Sequence, residues 1–160
     1  MPDMKILLTL LFLLGCGAAF AHGDNHAGKA TTTREQTAWG IAGQPKAVRR
    51  TIDIRMDDQM RFTPDRLQVR RGDTLRLRIH NSGQVLHELV IGTPAALAEH
   101  AALMQRFPNM EHDEPWMAHV PPGKTGELVW QFNRAGDFEF ACLIAGHYQA
   151  GMRGRVTVKP

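Results

Sequence analysis

A cysteine, a histidine and a methionine lie at equal five-residue intervals in the segment FACLIAGHYQAGM, residues 140–152. They are Cys142, His147 and Met152. A thiolate, an imidazole and a thioether are all metal donors, and the two sulfur groups are soft ligands that suit Cu(I). The segment therefore predicts a metal site built around one short loop.

The strand pattern indicates where a fourth ligand would come from. In residues 136–142, alternate aromatic side chains and Cys142 share one face, and a strand pattern resumes after Met152, so the loop crosses one end of the fold. His87 opens another apolar strand and is the candidate at that end. Two imidazoles, a thiolate and a weak axial thioether form the donor set of mononuclear copper electron-transfer centres. We therefore predict one copper ion bound by His87, Cys142, His147 and Met152, since zinc more often takes further cysteines or a carboxylate.

Each of these residues also has an ordinary structural explanation. A buried cysteine is often a small core residue, a loop histidine is usually solvated, and methionine commonly fills gaps. The cysteine count favours the metal, because the chain has only Cys16 and Cys142 and the first lies in a segment expected to be removed. A single thiol in an oxidising compartment has no disulfide partner, and a metal would give it a role.

The N-terminal segment predicts export. Lys5 precedes an apolar run over residues 6–14, and the small-x-small pattern of a signal-peptidase site ends at Ala21. The run is too short to remain as a membrane span. We predict a signal peptide at residues 1–21 and a mature protein in a bacterial periplasm. The alternative is a lipoprotein anchored at Cys16, a pattern that the preceding residues fit poorly.

The rest of the chain has the pattern of one domain rich in strands. Its composition, 43% hydrophobic and 22% charged, is ordinary for a globular domain. Residues 22–48 have no apolar period and predict a flexible arm ahead of a domain at 49–160. Alternating segments predict strands at residues 50–56, 67–81 (two strands about a Gly72-Asp73 turn), 87–92, 127–132, 136–142 and 153–159. One helix is expected at 94–107 and a loop at 109–126, so the fold class is all-β, an antiparallel sandwich with one short helix.

Three segments together resemble the cupredoxins, the type 1 copper proteins that include plastocyanin and azurin. They are FTPDRLQVRRGDTLRLRIHN (62–81), PPGKTGELVWQF (121–132) and GDFEFACLIAGHYQAGM (136–152). The resemblance runs from about Thr51 to Lys159. It implies a Greek-key β-sandwich and carries over the four ligands named above. The chain looks like the exported cupredoxins of bacterial copper tolerance, although its ligand loop is longer than the plastocyanin pattern.

Further side chains suggest additional contacts with copper. Glu88 directly follows the first ligand, and a carboxylate there would lower the redox potential or orient His87. The candidates for secondary copper binding are His22, His26, Met110, His112, Met117 and His119. The first two lie in the arm, where cleavage would leave His22 with a free α-amine. For the others, packing methionines and solvated histidines are the alternative, and His80 and His100 are expected at the surface.

Charge and motifs argue against other function classes. The formal net charge is +3, and the basic residues alternate with apolar ones as on solvated strand faces, without the basic stripe typical of nucleic-acid binding. No Ser/His/Asp or paired-carboxylate set appears, so an enzyme is not expected. The sequence predicts a periplasmic, redox-active copper protein serving copper tolerance, and the alternative is a general one-electron carrier. Expected partners are copper ions and a periplasmic redox or copper-transport protein, with no membrane span after processing.

Overall fold

The computed structural model describes residues 34–110 and 112–160, which form two β-sheets and one helix. The elements in chain order are β1 (Gln36–Thr37), β2 (Gly40–Ala42), a 3-10 turn (Pro45–Ala47), β3 (Arg50–Asp57), β4 (Arg61–Thr63), β5 (Arg66–Arg70), β6 (Thr74–Asn81), β7 (His87–Gly92), α1 (Pro94–Arg106), β8 (Met117–Val120), β9 (Thr125–Gln131), β10 (Gly136–Ala141) and β11 (Arg153–Lys159). The first sheet has the order β1-β2-β9-β6-β3-β4 and the second β5-β11-β10-β7-β8. The predicted all-β Greek-key sandwich with one helix is confirmed.

The core lies between the two sheets and follows from the period-two pattern of the strands. In β6, Leu75, Leu77 and Ile79 are almost fully buried, while Arg78 and His80 between and beyond them face solvent. The same alternation runs through β11. Alternate side chains point to opposite faces of a strand, so each strand contributes one apolar row to the interior.

β7 departs from this alternation because both of its faces are covered. All six of its residues are buried. Helix α1 packs on the outer face of the second sheet, where Leu97 and Ala101 form an apolar cluster with Val90 and Leu143. The helix begins where Thr93 accepts a hydrogen bond from the Ala96 amide at 3.2 Å. The acidic residue of β7, Glu88, is therefore held away from water.

Both sheets are mixed, which corrects the expectation of purely antiparallel pairing. β3 pairs with β6 in parallel, and β11 pairs with β5 in parallel. The chain moves from one sheet to the other between β4 and β5 and returns with β6. Parallel neighbours cannot be joined by a tight hairpin, so these pairings depend on crossovers that strand periodicity does not reveal.

Two stretches are more ordered than predicted. Within the predicted loop 109–126, β8 pairs with β7. Its Val120 is buried in the core between the sheets, and its Met117 is buried in the apolar cluster under α1. Within the predicted arm 22–48, β1 and β2 extend the first sheet through pairing with β9. Trp39 anchors this extension, since its carbonyl accepts a hydrogen bond from Trp130 Nε1 at 3.1 Å. Isolated apolar residues in polar surroundings carry too weak a periodic signal to predict such short strands.

Candidate metal centre

The ends of three strands of the second sheet bring the predicted ligands together. β10 is antiparallel to both β7 and β11, so its C-terminal end meets the start of each neighbour. Ala141 pairs with Val90 and with Arg153. Cys142 therefore lies beside the start of β7 at His87 and beside the residue that precedes β11.

The side chains of His87, Cys142 and His147 converge. One ligand atom from each lies within 4.8 Å of the others. The Sγ of Cys142 is 3.3 Å from Nδ1 of His147, and the two imidazole rings are 5.0 Å apart between centroids. His87 and Cys142 are fully buried, whereas His147 is partly exposed. The centre is thus a buried donor set with one imidazole at its edge.

The donor atoms fit a bound metal ion. Nδ1 of His87 is buried and has no hydrogen-bond partner among the described residues, which would cost stability unless an ion occupied the space before it. Burial raises the pKa of the Cys142 thiol to about 12, so the metal-free thiol is protonated at neutral pH. Burial and the neighbouring His87 lower the pKa of His147 and favour the neutral, metal-binding imidazole.

Met152 is held beside these donors by backbone hydrogen bonds. Its carbonyl accepts from the Cys142 amide at 3.1 Å, and its amide donates to the carbonyl of His147 at 3.1 Å. The side chain is fully buried in the same apolar cluster as Cys142. Gly151 makes the preceding turn with φ of +88°, a backbone conformation that other residues rarely adopt. Met152 therefore has the position expected of an axial ligand, and coordination by its sulfur stays a prediction.

Asp58 orients His87, which was one of the two roles predicted for Glu88. Its Oδ1 lies 3.0 Å from Nε2 of His87, and its Oδ2 accepts from the Gln84 amide at 2.7 Å. These hydrogen bonds lower the pKa of Asp58, led by the Gln84 amide. A ring nitrogen fixed in this way turns the other nitrogen toward the metal. Asp58 lies in the turn between β3 and β4, and no local motif in the sequence connects it to the ligands.

We expect Asp58→Ala to weaken copper binding by about 10- to 100-fold, the usual cost of removing a carboxylate that supports a histidine ligand. The dissociation constant would be measured by competition with a chelator of known affinity. Asp53→Ala is the control, because Asp53 on β3 pairs with exposed Arg78 on β6 and its loss should leave the affinity unchanged. Equal affinity in Asp58→Ala and wild type would show that His87 needs no support.

Glu88 is buried next to the thiol but contacts other groups than His87. Its Oε1 accepts from the Leu143 amide at 2.7 Å, and its Oε2 lies 2.9 Å from Nε2 of His119. Its backbone amide points to Cys142 Sγ at 3.4 Å. Burial raises the pKa of Glu88, and the Leu143 amide and His119 act in the opposite direction. The predicted influence on the redox potential therefore acts through charge near the thiolate.

We expect Glu88→Gln to raise the midpoint potential of bound copper. A negative charge close to the metal stabilises Cu(II) more than Cu(I), and the amide removes that charge while keeping the size of the side chain. Potentiometric titration of the visible absorption would measure the shift. Glu127→Gln, at an exposed glutamate paired with Arg76, is the control and should not change the potential. An unchanged potential in Glu88→Gln would contradict the charge effect.

The structure separates the candidates for secondary copper binding. Met117 packs in the apolar cluster under α1. Met110, His112 and His119 line a cavity beside the metal centre. His80 is exposed as expected, whereas His100 is partly buried and contacts His112 with its ring tilted, at 4.6 Å between ring centroids. The other predictions for the N-terminus, which are the signal peptide 1–21, Cys16, His22 and His26, lie outside the described residues.

Comparison with known proteins agrees with a copper-binding site. The family model described as copper binding proteins, plastocyanin/azurin family, matches residues 48–159. The copper-resistant cuproprotein CopI of Rubrivivax gelatinosus is 46% identical over 142 residues, covering 89% of this chain and 86% of that protein. The protein of the same name from Pseudomonas aeruginosa is 33% identical and covers 100% of this chain and 97% of its own length. Among solved structures, auracyanin B matches with a TM-score of 0.64 at 23% identity, covering 79% of this chain and 100% of its own.

Proposed function

Because the chain belongs to the plastocyanin/azurin family of copper-binding proteins, we propose that it is a periplasmic type 1 copper protein that serves copper tolerance. The carrying observation is the convergence of donor atoms from His87, Cys142 and His147 within 4.8 Å. Bound there with Met152, copper would supply one-electron Cu(I)/Cu(II) chemistry. Such a protein would hold copper and exchange electrons, and we do not expect it to be an enzyme.

The surrounding residues have distinct tasks in such a centre. Asp58 fixes the ring of His87, and the buried position of Cys142 keeps water and oxidants from the thiolate. Thiolate and thioether suit Cu(I), while the two imidazoles also suit Cu(II). A pocket that is held by strand ends and changes little between the two states would allow rapid electron exchange.

Two lines of support favour tolerance and export. Both CopI relatives are named copper-resistant cuproproteins, and the first shares 46% identity over most of this chain. Export follows from the signal-peptide pattern at residues 1–21, with a soluble periplasmic protein as the preferred product. In the part of the chain that the structure describes, no helix is long and apolar enough to cross a membrane.

Growth under copper stress tests the proposal. A strain lacking the gene should be sensitive to added copper, and the wild-type gene should restore growth. Cys142→Ser should fail to restore it at the same protein level, because serine cannot supply the thiolate. His80→Ala, which removes an exposed histidine outside the donor set, should restore growth like wild type. Full tolerance with Cys142→Ser would rule out a role of the thiolate centre in tolerance.

One observation favours the general electron carrier as a second candidate. Val85 and Leu86 are 44% and 43% exposed and line the same cavity as the partly exposed His147. An apolar rim around a ligand at the edge of a redox centre suits the docking of a redox partner. Rapid electron exchange with a periplasmic cytochrome, combined with normal copper tolerance in the deletion strain, would favour this function.

A further inference from the structure

A cavity of about 890 Å³ lies beside the copper centre, and most of the metal donors that line it are not used by the centre. The donor side chains on its wall are Glu88, Met104, Met110, His112, Asp113, His119 and His147. Of these, only His147 belongs to the type 1 donor set. The wall therefore combines imidazole, thioether and carboxylate groups in addition to that ligand.

Glu88, His112 and His119 form a connected group within this wall. Oε2 of Glu88 lies 2.9 Å from Nε2 of His119, and the Glu88 side chain is only 1% exposed. The rings of His112 and His119 are 5.8 Å apart between centroids and nearly perpendicular, at 85°. The corresponding distance between His87 and His147 is 5.0 Å. The second pair of imidazoles is thus almost as close as the pair in the copper centre.

An unpartnered nitrogen distinguishes this group from an ordinary ion pair. Nε2 of His112 is buried and has no hydrogen-bond partner among the described residues, while its Nδ1 lies 3.2 Å from the Met110 carbonyl. If Nδ1 carries the proton and donates to that carbonyl, Nε2 has a free lone pair. A structural ion pair would explain the His119–Glu88 contact. It would not explain why Nε2 of His112 is buried without a hydrogen-bond donor.

We propose that His112, His119 and Glu88 form a second copper site in the cavity, with Met110 as a thioether on its wall. The proposal rests on the proposed function, since copper would be the cargo that this site takes up. Imidazole binds both copper states, and thioether donors favour Cu(I) over the harder divalent ions. The Glu88 backbone amide points to Cys142 Sγ, so an ion held by the Glu88 carboxylate would lie close to the type 1 centre.

The test compares wild type with His112→Ala in the full mature protein. His112 lies in the loop between α1 and β8, outside every helix and strand, so its removal should leave the fold intact. Each protein would be titrated with Cu(I) under anaerobic conditions against a colorimetric Cu(I) chelator. Wild type should bind one copper ion more than His112→Ala. His80→Ala is the matched control and should bind as many ions as wild type.

The visible absorption of the Cu(II) form separates this inference from the proposed function. Wild type, His112→Ala and His80→Ala should all show the thiolate-to-copper charge-transfer band, because neither substitution touches the type 1 ligands. Equal copper counts with the band present would overturn the second site and leave the proposed function in place. A missing band in wild type would overturn the type 1 centre itself. If His112→Ala lowered only Zn(II) binding, the assignment of the cavity to copper would be wrong.

Discussion

Cys142→Ser is expected to abolish the intense visible absorption of the copper-loaded protein. That absorption arises from charge transfer between a thiolate and Cu(II), and the serine hydroxyl does not form such a bond at neutral pH. Cys142 is the free cysteine among the described residues, so no other thiol there would replace it. A titration with Cu(II), followed by an optical spectrum, would measure the effect.

The control keeps the thiolate and changes the axial position. Met152→Leu preserves an apolar side chain of similar size, and the charge-transfer band should persist with altered position or intensity. An intense band in Cys142→Ser would mean that another residue binds copper in this way. Only weak absorption in wild type would mean that the loop from Cys142 to Met152 has a structural role alone, and copper would then bind elsewhere.

Phe140→Ala is expected to have the largest effect on stability, with a loss of about 3–5 kcal/mol in the free energy of unfolding. The ring is fully buried between the sheets and makes an edge-to-face contact with Phe62 at 5.0 Å between centroids. Gly154 on β11 leaves room for the ring, since a Cβ there would overlap it. Truncation would leave a cavity two residues from Cys142, so copper binding should weaken as well.

Denaturant titration of the metal-free protein would measure this loss without the stabilisation that copper adds. Phe107→Ala is the matched control, because Phe107 is 52% exposed at the end of α1 and its removal should change the free energy by no more than about 0.5 kcal/mol. A small effect of Phe140→Ala would show that the core closes around the missing ring.

Much of the fold and the ligand set could be predicted from local sequence. The spacing of Cys142 and His147 predicted one metal loop, and their donor atoms do converge. The alternation of β10 placed Cys142 on the core side, where it lies. His87 followed from its position at the start of an apolar strand. These predictions succeed because the period of a strand and the length of a loop are properties of contiguous residues.

The sequence by itself therefore determined the sandwich, its helix and the donor types of the metal centre. Only the tertiary structure decided that Asp58 supports His87, that Glu88 pairs with His119 and that two strand pairings are parallel. Each depends on segments far apart in sequence, as Asp58 and His87 are by 29 positions. Such contacts depend on how the chain crosses between the sheets, and the periodicity of a single strand does not predict those crossings.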